Sequence, residues 1–528
     1  MEAPGTTEYD EVGYPSFPIY FTHPDRLATM AALFGMKPAL PEKCRLLELG
    51  CFDGVNLAAM GVALPHSEFV GVDLAGTAIA RGQALLNDIG LKNVSLRHTD
   101  LMEMAADYGQ FDYIIVHGLF AWVPQPVCDK ILAICKHSLA PQGVAYVSYN
   151  TLPGCHSRLM LREMVQFHNR EFQDPQQQMQ QALTLMKLLS GSMVKGADLH
   201  MQLVRGEFER WSARAPEAFY HDELAPVFNP LYFHQFMEQA QRHDLQFLSE
   251  ADFFDMIPHG FAANAVEVLD RIKDDIVLRE QYMDFMRGRY FRKTLLCHPE
   301  IGLNRAIDPD CVRSFYISTL AKPGTPTPNP DPAAKETFES DQGGMIVTAD
   351  PLGRSLFWYL EETVPERTLF PQLVEAVEAR ARQQLGFAPK PDQDVAADIA
   401  GFIWSTYGAG LVDLFQTHQA FVSRVSAKPL ASPLARWQAR RGDVVATLHH
   451  RTLKLGNAIH RGILALCDGS RERATLRADL LQVFESGVLD WVDGDGKPIR
   501  DMAVVGKAID EGLESFLQKA ARSAVLMG

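Results

Sequence analysis

A short glycine-containing segment near the N-terminus has the residue types and spacing of a nucleoside-binding turn. The segment Leu46–Asn56 reads Leu-Leu-Glu-Leu-Gly-Cys-Phe-Asp-Gly-Val-Asn, an apolar run followed by a turn with Gly50 and Gly54. Glycine permits positive φ angles and lets a ligand lie against the peptide groups. The start of the next helix adds unpaired N–H donors. The pattern therefore predicts a strand, a ligand-binding turn and a helix.

Two further carboxylates follow at the ends of the next apolar runs. Asp73 lies nineteen residues after Gly54, and Asp100 ends the third run. An acid at the end of the second strand can accept both hydroxyls of a ribose. Phe52 stands where a pyrophosphate-binding turn has glycine, which favours a nucleoside without a diphosphate. Glu48 would face a positively charged amino-acid group, and a nucleoside joined to an amino acid describes S-adenosylmethionine.

The elements that must position these residues alternate in the βαβ manner from residue 44 to residue 150. Strands are predicted at residues 45–49, 68–73, 94–98, 112–117 and 144–149. A helical stretch follows from 157 to 219, then a helix at 231–243 and strands at 245–248 and 290–297. The two late strands would complete a seven-stranded α/β sheet. The first domain is therefore predicted to span 1–303, with a helical insertion at about 157–230.

The rest of the chain is predicted to form smaller, helix-rich α+β domains. The middle domain (304–420) contains a segment, 322–332, with five prolines, which predicts an exposed loop without regular structure. Helical patterns occupy 354–382 and 395–415, with a break at 386–394. The last domain (421–528) combines a short strand pair, at 443–447 and 452–455, with helices, and is predicted to be winged-helix-like. Its segment from 424 to 461 holds eight Arg and Lys residues and one acid, which is more typical of a solvated face than of a binding surface.

Composition excludes several functional classes. The chain has 528 residues, which predicts two to four domains, and a net charge of −15, which argues against nucleic acid as a partner. No apolar run reaches the length of a membrane-spanning helix, and residues 1–11 do not resemble a secretory signal. Eight cysteines without a Cys-x-x-Cys pair predict neither a metal site nor disulfides, and hence a cytoplasmic protein.

S-adenosylmethionine is a methyl donor, so a protein that uses it for transfer must also bind a methyl acceptor. Candidate residues for binding that acceptor lie at the ends of strands four and five and on the N-terminal arm. We expect Tyr149 and Asn150 to orient an amine, with Tyr14 and His23 as further catalytic candidates. Trp122 could cover the pocket, and four further residues could line an acidic channel for a cationic substrate: His221, Glu223, Glu250 and Asp252. The fourth strand is followed by His117-Gly-Leu-Phe120 and not by the Asn/Asp-Pro-Pro-Tyr/Phe of enzymes that methylate exocyclic amines of bases.

Motifs along nearly the whole chain carry a family resemblance. They are Tyr14-Pro-Ser-Phe-Pro18, Thr22-His-Pro-Asp-Arg-Leu27, Leu33-Phe-Gly35, Glu48-Leu-Gly-Cys51, Val116-His-Gly-Leu-Phe-Ala-Trp-Val-Pro124, Ser148-Tyr-Asn-Thr-Leu-Pro-Gly154, Tyr232-Phe-His234, Glu250-Ala-Asp-Phe253, Phe291-Arg-Lys-Thr-Leu-Leu-Cys-His298 and Ala431-Ser-Pro-Leu-Ala-Arg436. The chain resembles bacterial class I S-adenosylmethionine-dependent methyltransferases with a methyltransferase regulatory segment. That family includes the rickettsial outer-membrane-protein lysine methyltransferases.

The resemblance implies a seven-stranded methyltransferase fold, S-adenosylmethionine as cofactor and contacts for each part of it. Glu48, Gly50 and Gly54 would hold the methionine end, and Asp73 the ribose. The other expected contacts are Cys51, Phe52, Asn56, Leu74, Asp100, Leu101, His117 and Gly118. Phe52 departs from the small residues of the family and would narrow the pocket or stack beside the cofactor.

The expected reaction is N-methylation of a protein, such as an outer-membrane or lysine-rich protein, at lysine. The resemblance also implies a homodimer. Two other functions stay open: methylation of a small molecule, which predicts a closed pocket, and a non-catalytic protein that binds the cofactor as a sensor or has lost it because of Phe52. Retention of Glu48, Asp73 and Asp100 together argues against the last.

Overall fold

A seven-stranded sheet forms the centre of the first half of the chain, in the order β3-β2-β1-β4-β5-β7-β6. Strands β1 to β5 are parallel, and β7 runs antiparallel to both of its neighbours. The strands are β1 (Arg45–Leu49), β2 (Glu68–Asp73), β3 (Val94–His98), β4 (Phe111–Val116), β5 (Leu139–Asn150), β6 (Gln246–Glu250) and β7 (Phe291–Cys297). The predicted seven-stranded class I methyltransferase sheet is confirmed.

The computed structural model describes residues 9, 13–105, 108–192, 198–319, 321–341, 343–489, 499 and 501–528. Helices that flank the sheet are α1 (Pro24–Leu33), α2 (Val55–Ala63), α3 (Gly76–Ile89) and α4 (Gln125–Ser138). The helix that follows each of β1, β2 and β4 returns the chain to the next parallel strand, so the carboxyl ends of the strands share one edge. Glu48, Asp73, Asp100 and His117 are brought together along that edge.

The helical insertion consists of α5 (His156–Asn169), α6 (Pro175–Gly191), α7 (Leu199–Ser212) and the short α8 (Pro216–Phe219). It has a core of its own, in which Leu161, Val165, Trp211 and Phe219 are buried. A single π-helical turn, Tyr220–Leu224, follows α8 and returns the chain toward the sheet. The chain then passes through α9 (Phe233–Arg242), β6, α10 (Ala263–Arg271) and α11 (Ile276–Arg287) to β7.

The middle region is less helical than the sequence predicts. It contains α12 (Pro351–Thr363), α13 (Phe370–Leu385) and α14 (Val395–Gly408). It also contains two three-stranded sheets, built from β8 (Tyr316–Thr319), β9 (Lys322–Pro323), β10 (Glu336–Glu339), β11 (Met345–Thr348), β12 (Thr368–Leu369) and β13 (Val412–Phe415).

Two predictions for this region are corrected. The helix predicted over 395–415 ends at residue 408, because Gly410 takes φ +69° and redirects the chain. Residues 412–415 then pair with β8. The first two residues of the proline-rich segment, which was predicted to lack regular structure, pair with β10. They lie at the edge of their sheet, where proline is tolerated.

The C-terminal region has its own buried core. It consists of α15 (Pro433–Ala439), a hairpin of β14 (Val444–Ala446) and β15 (Thr452–Lys454), α16 (Ala458–Leu466), α17 (Arg473–Glu485) and α18 (Met502–Arg522). Its basic segment contacts the first domain, because Arg441 and Trp437 reach Asp88 of α3. Among the described helices none is long and apolar enough to cross a membrane.

Candidate functional site

The turn after β1 is shaped by positive φ angles and by Asp73. Gly50, Phe52 and Gly54 take φ values of +76°, +51° and +69°. Asp73, at the end of β2, accepts from the backbone N–H of Phe52 at 2.7 Å and from that of Ala75 at 2.8 Å. One carboxylate therefore fixes the turn while remaining half-buried at the sheet edge. A glycine is needed at position 54, since a Cβ there would lie 2.5 Å from Leu96.

A buried acid lies beneath this turn. Glu48 is 3% exposed, and its Oε1 accepts from Asn56 Nδ2 at 2.8 Å. Its Oε2 is buried and has no hydrogen-bond partner among the described residues. Burial raises the pKa of Glu48 to about 8, and the nearby Asp73 and Asp53 add to the shift. An unpaired carboxylate oxygen in this position fits the cationic amino group of a bound amino acid.

The residues expected around the adenine ring line the next strand ends. Leu74 is 39% exposed beside Asp73, and its carbonyl oxygen lies 3.0 Å from His98 Nε2. Asp100 begins a short 3-10 helix and accepts from the N–H of Met102 at 2.8 Å, with Leu101 half-buried beside it. At each of these two strand ends a leucine directly follows an aspartate. A leucine can pack on the flat face of adenine, and an aspartate can accept from polar groups at the edge of the ligand.

His117 directly follows the fourth strand and is held by side chains of β5. Its Nδ1 lies 3.0 Å from the Tyr146 hydroxyl and 3.2 Å from Ser148 Oγ, which also accepts from the N–H of Gly118. Burial, together with the charge of Lys293, lowers the pKa of His117 to about 4. His117 is therefore neutral near pH 7, and its side chain positions the strand end.

The N-terminal arm and the helical insertion meet above the cofactor turn in an aromatic cluster, defined here as Tyr9, Tyr14, Phe52 and His221. Tyr9 stacks on His221 with ring centroids 4.0 Å apart and lies 6.1 Å from the Phe52 ring. The Tyr14 ring lies 5.8 Å from His221. Tyr9 is 36% exposed, so the cluster is open to solvent on one side. Three of its four members were predicted as site residues.

Charged groups fix the insertion's side of the aromatic cluster. Tyr14 donates its hydroxyl to Asp222 Oδ1 at 3.4 Å, and Asp222 Oδ2 pairs with Arg214 at 2.6 Å. The neighbouring Glu223 is fully buried and forms a two-point ion pair with Arg158 of α5. Such bidentate pairing gives a fixed geometry. The π-helical turn is thus anchored to α5, and Asp222 is held next to Tyr14.

The structure does not bring the predicted acceptor pair to the aromatic cluster. Tyr149 is 1% exposed, its ring stacks on Phe236 at 4.2 Å, and its hydroxyl is 3.3 Å from Thr294. Asn150 is 5% exposed, and its backbone oxygen accepts from Leu231. Because side chains alternate along a strand, Tyr149 lies on the opposite face of β5 from Ser148. The burial of Tyr149 against Phe236 argues against its contact with an amine, whereas the role of Asn150, which lies on the same face of β5 as Ser148, stays a prediction.

The acids expected to rim a substrate channel are engaged elsewhere. Glu250 is fully buried, bonded to Arg292 at 2.6 Å and to Thr294 at 2.9 Å. Asp252 lies 3.8 Å from the Lys293 ammonium. The acid that contacts the aromatic cluster is instead Asp222, through the Tyr14 hydroxyl. The acidic group next to the cluster therefore comes from the turn after the helical insertion and not from residues 250–252.

Two other predicted residues have structural contacts. His23 is 5% exposed, and its Nδ1 accepts from the N–H of Asp25 at the start of α1. Trp122 packs against Phe228, with ring centroids 4.7 Å apart, below Arg158. Neither residue makes a ring contact with the aromatic cluster in the described part of the chain. The sequence reasoning missed Tyr9 and Asp222, although Asp222 adjoins His221, which it did identify.

Three family profiles match separate parts of the chain. Residues 46–143 match "Methyltransferase domain", residues 215–298 match "Predicted methyltransferase regulatory domain", and residues 427–525 match "PKMT, C-terminal winged helix domain". The first match covers the cofactor turn and β1 to β4. The second covers the π-helical turn, β6 and β7.

Relatives extend the likeness over the whole chain. The structure of PKMT2 from Rickettsia typhi is 29% identical, covers 98% of this chain and 100% of its own, and gives a TM-score of 0.86. The same protein in complex with AdoHcy gives a TM-score of 0.84 at 28% identity over 98% of this chain and 100% of its own. The uncharacterized protein RP789 of Rickettsia prowazekii is 29% identical, over 98% of this chain and 93% of its own. The uncharacterized protein RP028 of the same organism is 37% identical over 46% of this chain and 96% of its own.

The chain belongs to the family of rickettsial-like class I S-adenosylmethionine-dependent methyltransferases. The family resemblance and the cofactor predicted from the sequence are both confirmed. The residues of this enzyme fit the cofactor, because the unpaired buried oxygen of Glu48 and the half-buried carboxylate of Asp73 supply acceptors for its amino and hydroxyl groups. Phe52 leaves the turn intact, since Asp73 accepts from its N–H.

Proposed function

We propose that the enzyme transfers the methyl group of S-adenosylmethionine to lysine side chains of a protein. The observation that supports this most directly is the aromatic cluster with Asp222 beside the cofactor turn, open to solvent on one side. The resemblance to the rickettsial outer-membrane-protein lysine methyltransferases and the similarity to the solved structure of PKMT2 support the same substrate class. The net charge of −15 also favours a basic partner.

The cofactor-binding roles follow from the donors and acceptors at the strand ends. In this proposal Glu48 binds the amino group, Asp73 the ribose hydroxyls and Asp100 the adenine amino group. Leu74 and Leu101 cover the adenine faces, and the remaining contacts are Gly50, Cys51, Phe52, Gly54, Asn56, His117 and Gly118. When bound, the cofactor supplies a methyl group on a sulfonium, and the protein has to align a nucleophile in line with it.

The aromatic cluster would receive and orient the acceptor amine. Ring faces attract an ammonium group, and Asp222 adds a negative charge beside Tyr14. Enclosure among rings lowers the pKa of a lysine amine and favours the neutral, nucleophilic form. Burial raises the pKa of Tyr14 above its usual value, with Asp222 adding to the shift. Tyr14 therefore stays protonated near neutral pH and acts by hydrogen bonding.

Mass spectrometry of methylated products tests the substrate class. We expect the purified enzyme with S-adenosylmethionine to modify lysines of lysine-rich or outer-membrane proteins and to leave free lysine and small amines unmodified. Tyr14→Phe should lower the methylation rate by about tenfold to a hundredfold, since it removes one orienting hydrogen bond. Binding of S-adenosylhomocysteine should be unchanged. Turnover confined to small amines would reject the proposal.

A matched pair of variants separates the acceptor role from the cofactor role. Asp73→Ala should abolish cofactor binding in calorimetric titration and leave the circular dichroism spectrum unchanged. Unchanged affinity would refute the ribose assignment. Asp222→Asn should retain cofactor affinity and lose methylation. The homodimer, the outer-membrane substrate and the cytoplasmic location stay predictions.

A further inference from the structure

A histidine of the C-terminal domain reaches the buried acid below the cofactor turn. His450 lies in the turn of the β14–β15 hairpin and is 2% exposed. Its Nε2 lies 2.8 Å from Asn56 Oδ1, and Asn56 Nδ2 donates to Glu48 Oε1, also at 2.8 Å. Three side chains from two domains thus form a continuous hydrogen-bonded chain. Asn56 and Glu48 are 6% and 3% exposed, so water does not compete for these bonds.

The direction of each bond in the chain is determined. The backbone N–H of Ile19 donates to Asn56 Oδ1 at 2.9 Å, which identifies that atom as the oxygen. His450 must therefore donate from Nε2, and its buried Nδ1 has no partner among the described residues. Burial lowers the pKa of His450 to about 3, which keeps the ring neutral. A neutral ring with its proton on Nε2 is the form that can orient the Asn56 amide toward Glu48.

The hairpin holds His450 in this position by contacts of its own. His450 takes φ +58°, which is uncommon for a residue with a side chain. Its N–H donates to Thr447 O, and the neighbouring Leu448 N–H donates to Ala524 O at the C-terminal end of α18. The strained turn is therefore tied to the body of the C-terminal domain, and a ring contact with His23, centroids 5.4 Å apart, completes the packing.

We propose that His450 is a positioning residue for cofactor binding: it orients Asn56, which in turn holds Glu48 with one carboxylate oxygen directed to the cofactor's amino group. The C-terminal winged-helix domain thereby contributes to the cofactor site through Asn56, in the first turn of α2. The inference rests on the assignment of Glu48 to the cofactor made under Proposed function.

Substitutions at two adjacent histidines test the inference in the full-length enzyme. Asn is tolerated at positive φ, so His450→Asn keeps the turn but is too short to reach Asn56. We expect S-adenosylhomocysteine to bind about fivefold to tenfold more weakly, as for the loss of one buried hydrogen bond. His450→Gln, whose amide nitrogen can occupy the position of Nε2, should restore binding to within about twofold. His449→Asn is the matched control, because His449 stacks on Phe421 and makes no contact with Asn56.

The pH dependence of binding distinguishes positioning from packing. The hydrogen bond from Asn56 favours the charged form of Glu48 and so lowers the pKa of Glu48. If Asn56 is misoriented, that pKa should rise, and the increase of affinity with pH should move to higher pH. The titratable groups that interact with Glu48 are Asp53, Asp73, Cys51 and Tyr146. The titratable group bonded to Asn56 is His450, whose ring lies 5.4 Å from that of His23. We expect a shifted profile for His450→Asn and unshifted profiles for His450→Gln and His449→Asn. Equal effects of the two Asn variants, or no shift with either, would overturn the inference.

A further variant separates this inference from the assignment on which it rests. Glu48→Gln should weaken S-adenosylhomocysteine binding and remove most of the pH dependence. If Glu48→Gln has no effect, the assignment of Glu48 fails. If Glu48→Gln weakens binding and His450→Asn does not, the positioning role of His450 alone fails.

Discussion

At the scale of single residues, the cofactor site depends on an acid that burial keeps protonated. Burial raises the pKa of Glu48 to about 8, whereas a cationic amino group next to the carboxylate would lower it. The bound form therefore carries fewer protons than the free form, and binding releases a proton. By linkage, affinity must rise with pH between the pKa of Glu48 in the complex and its pKa in the free protein, and must level off above the latter.

The resulting prediction concerns the affinity for S-adenosylhomocysteine between about pH 6 and about pH 7.5. Affinity should increase by up to about tenfold per pH unit, the limit for release of one proton. Calorimetry in buffers of different ionisation enthalpy should detect the released proton directly. Glu48→Gln provides the control, and we expect its affinity to be low and nearly independent of pH. A steep rise retained in Glu48→Gln would assign the titration to another group.

The residue types at the cofactor turn were predictable from sequence. Glu48, Gly50 and Gly54 have fixed places in a strand–turn–helix unit, and Asp73 ends the strand that follows it. On the acceptor side, Tyr14 and His221 were predicted separately, but their contact with each other and with Tyr9 was not predictable, because His221 lies about two hundred residues later in the chain. A long-range contact of this kind leaves no local periodicity. Tyr149 was misassigned for a related reason: sequence places it at a strand end but does not tell which face is covered by α9.

At the scale of elements, the outer edge of the large sheet is held by a buried ionic network around Arg292. This arginine of β7 is fully buried and binds Glu250 of β6, together with Asp284 and Glu280 of α11, at 2.6, 2.8 and 3.2 Å. Phe233 of α9 covers its guanidinium at 3.9 Å. The network therefore ties β6 and β7 to α9 and α11 at this edge of the sheet.

Arg292→Met should therefore destabilise the fold strongly. The change leaves three carboxylates buried with fewer partners, which costs about 3–5 kcal/mol for a broken buried pair. Chemical denaturation measures the loss. Arg45→Met is the matched control in β1: its partner Glu68 and Arg45 itself are about half exposed, so we expect a cost below about 1 kcal/mol. If both variants lost a similar amount of unfolding free energy, the burial of the Arg292 ion pairs would not be the cause of their stabilising effect.

Elements with strong periodicity were predictable, and elements made by pairing were not. All seven strands of the large sheet follow from apolar runs between helices. The strand Val412–Phe415 was assigned to a helix, because four residues with mixed polarity carry no distinctive pattern. This strand is stabilised by pairing with β8. In addition, Thr319 Oγ1 of β8 donates to the backbone oxygen of Leu411, the residue before the strand.

At the scale of the whole molecule, the first domain is not independent of the middle region. The buried core continues from the large sheet through α12, α13 and α14. Asp25 of α1 is fully buried and bonds to Arg367 at 2.6 Å, to Thr417 at 2.9 Å and to the backbone N–H of Gln416 at 2.8 Å. The predicted boundary at 303 therefore falls inside a shared core, whereas the region after 426 has a core of its own and adds only Leu434 and Ala446 to the buried residues of the shared one.

Truncation at these two points should have opposite consequences for folding. Truncation at residue 303 removes the groups that donate to the Asp25 carboxylate, which belong to Arg367, Gln416 and Thr417, and it exposes the apolar core. We therefore expect the truncated chain to aggregate. A chain ending at residue 426 keeps all buried residues of the shared core except Leu434 and Ala446. We therefore expect a monodisperse species in size-exclusion chromatography, with a cooperative thermal transition by circular dichroism. It also lacks His450, so its affinity for S-adenosylhomocysteine should fall at least as far as that of His450→Asn. A folded 1–303 chain with full affinity would show that neither later region contributes to the site.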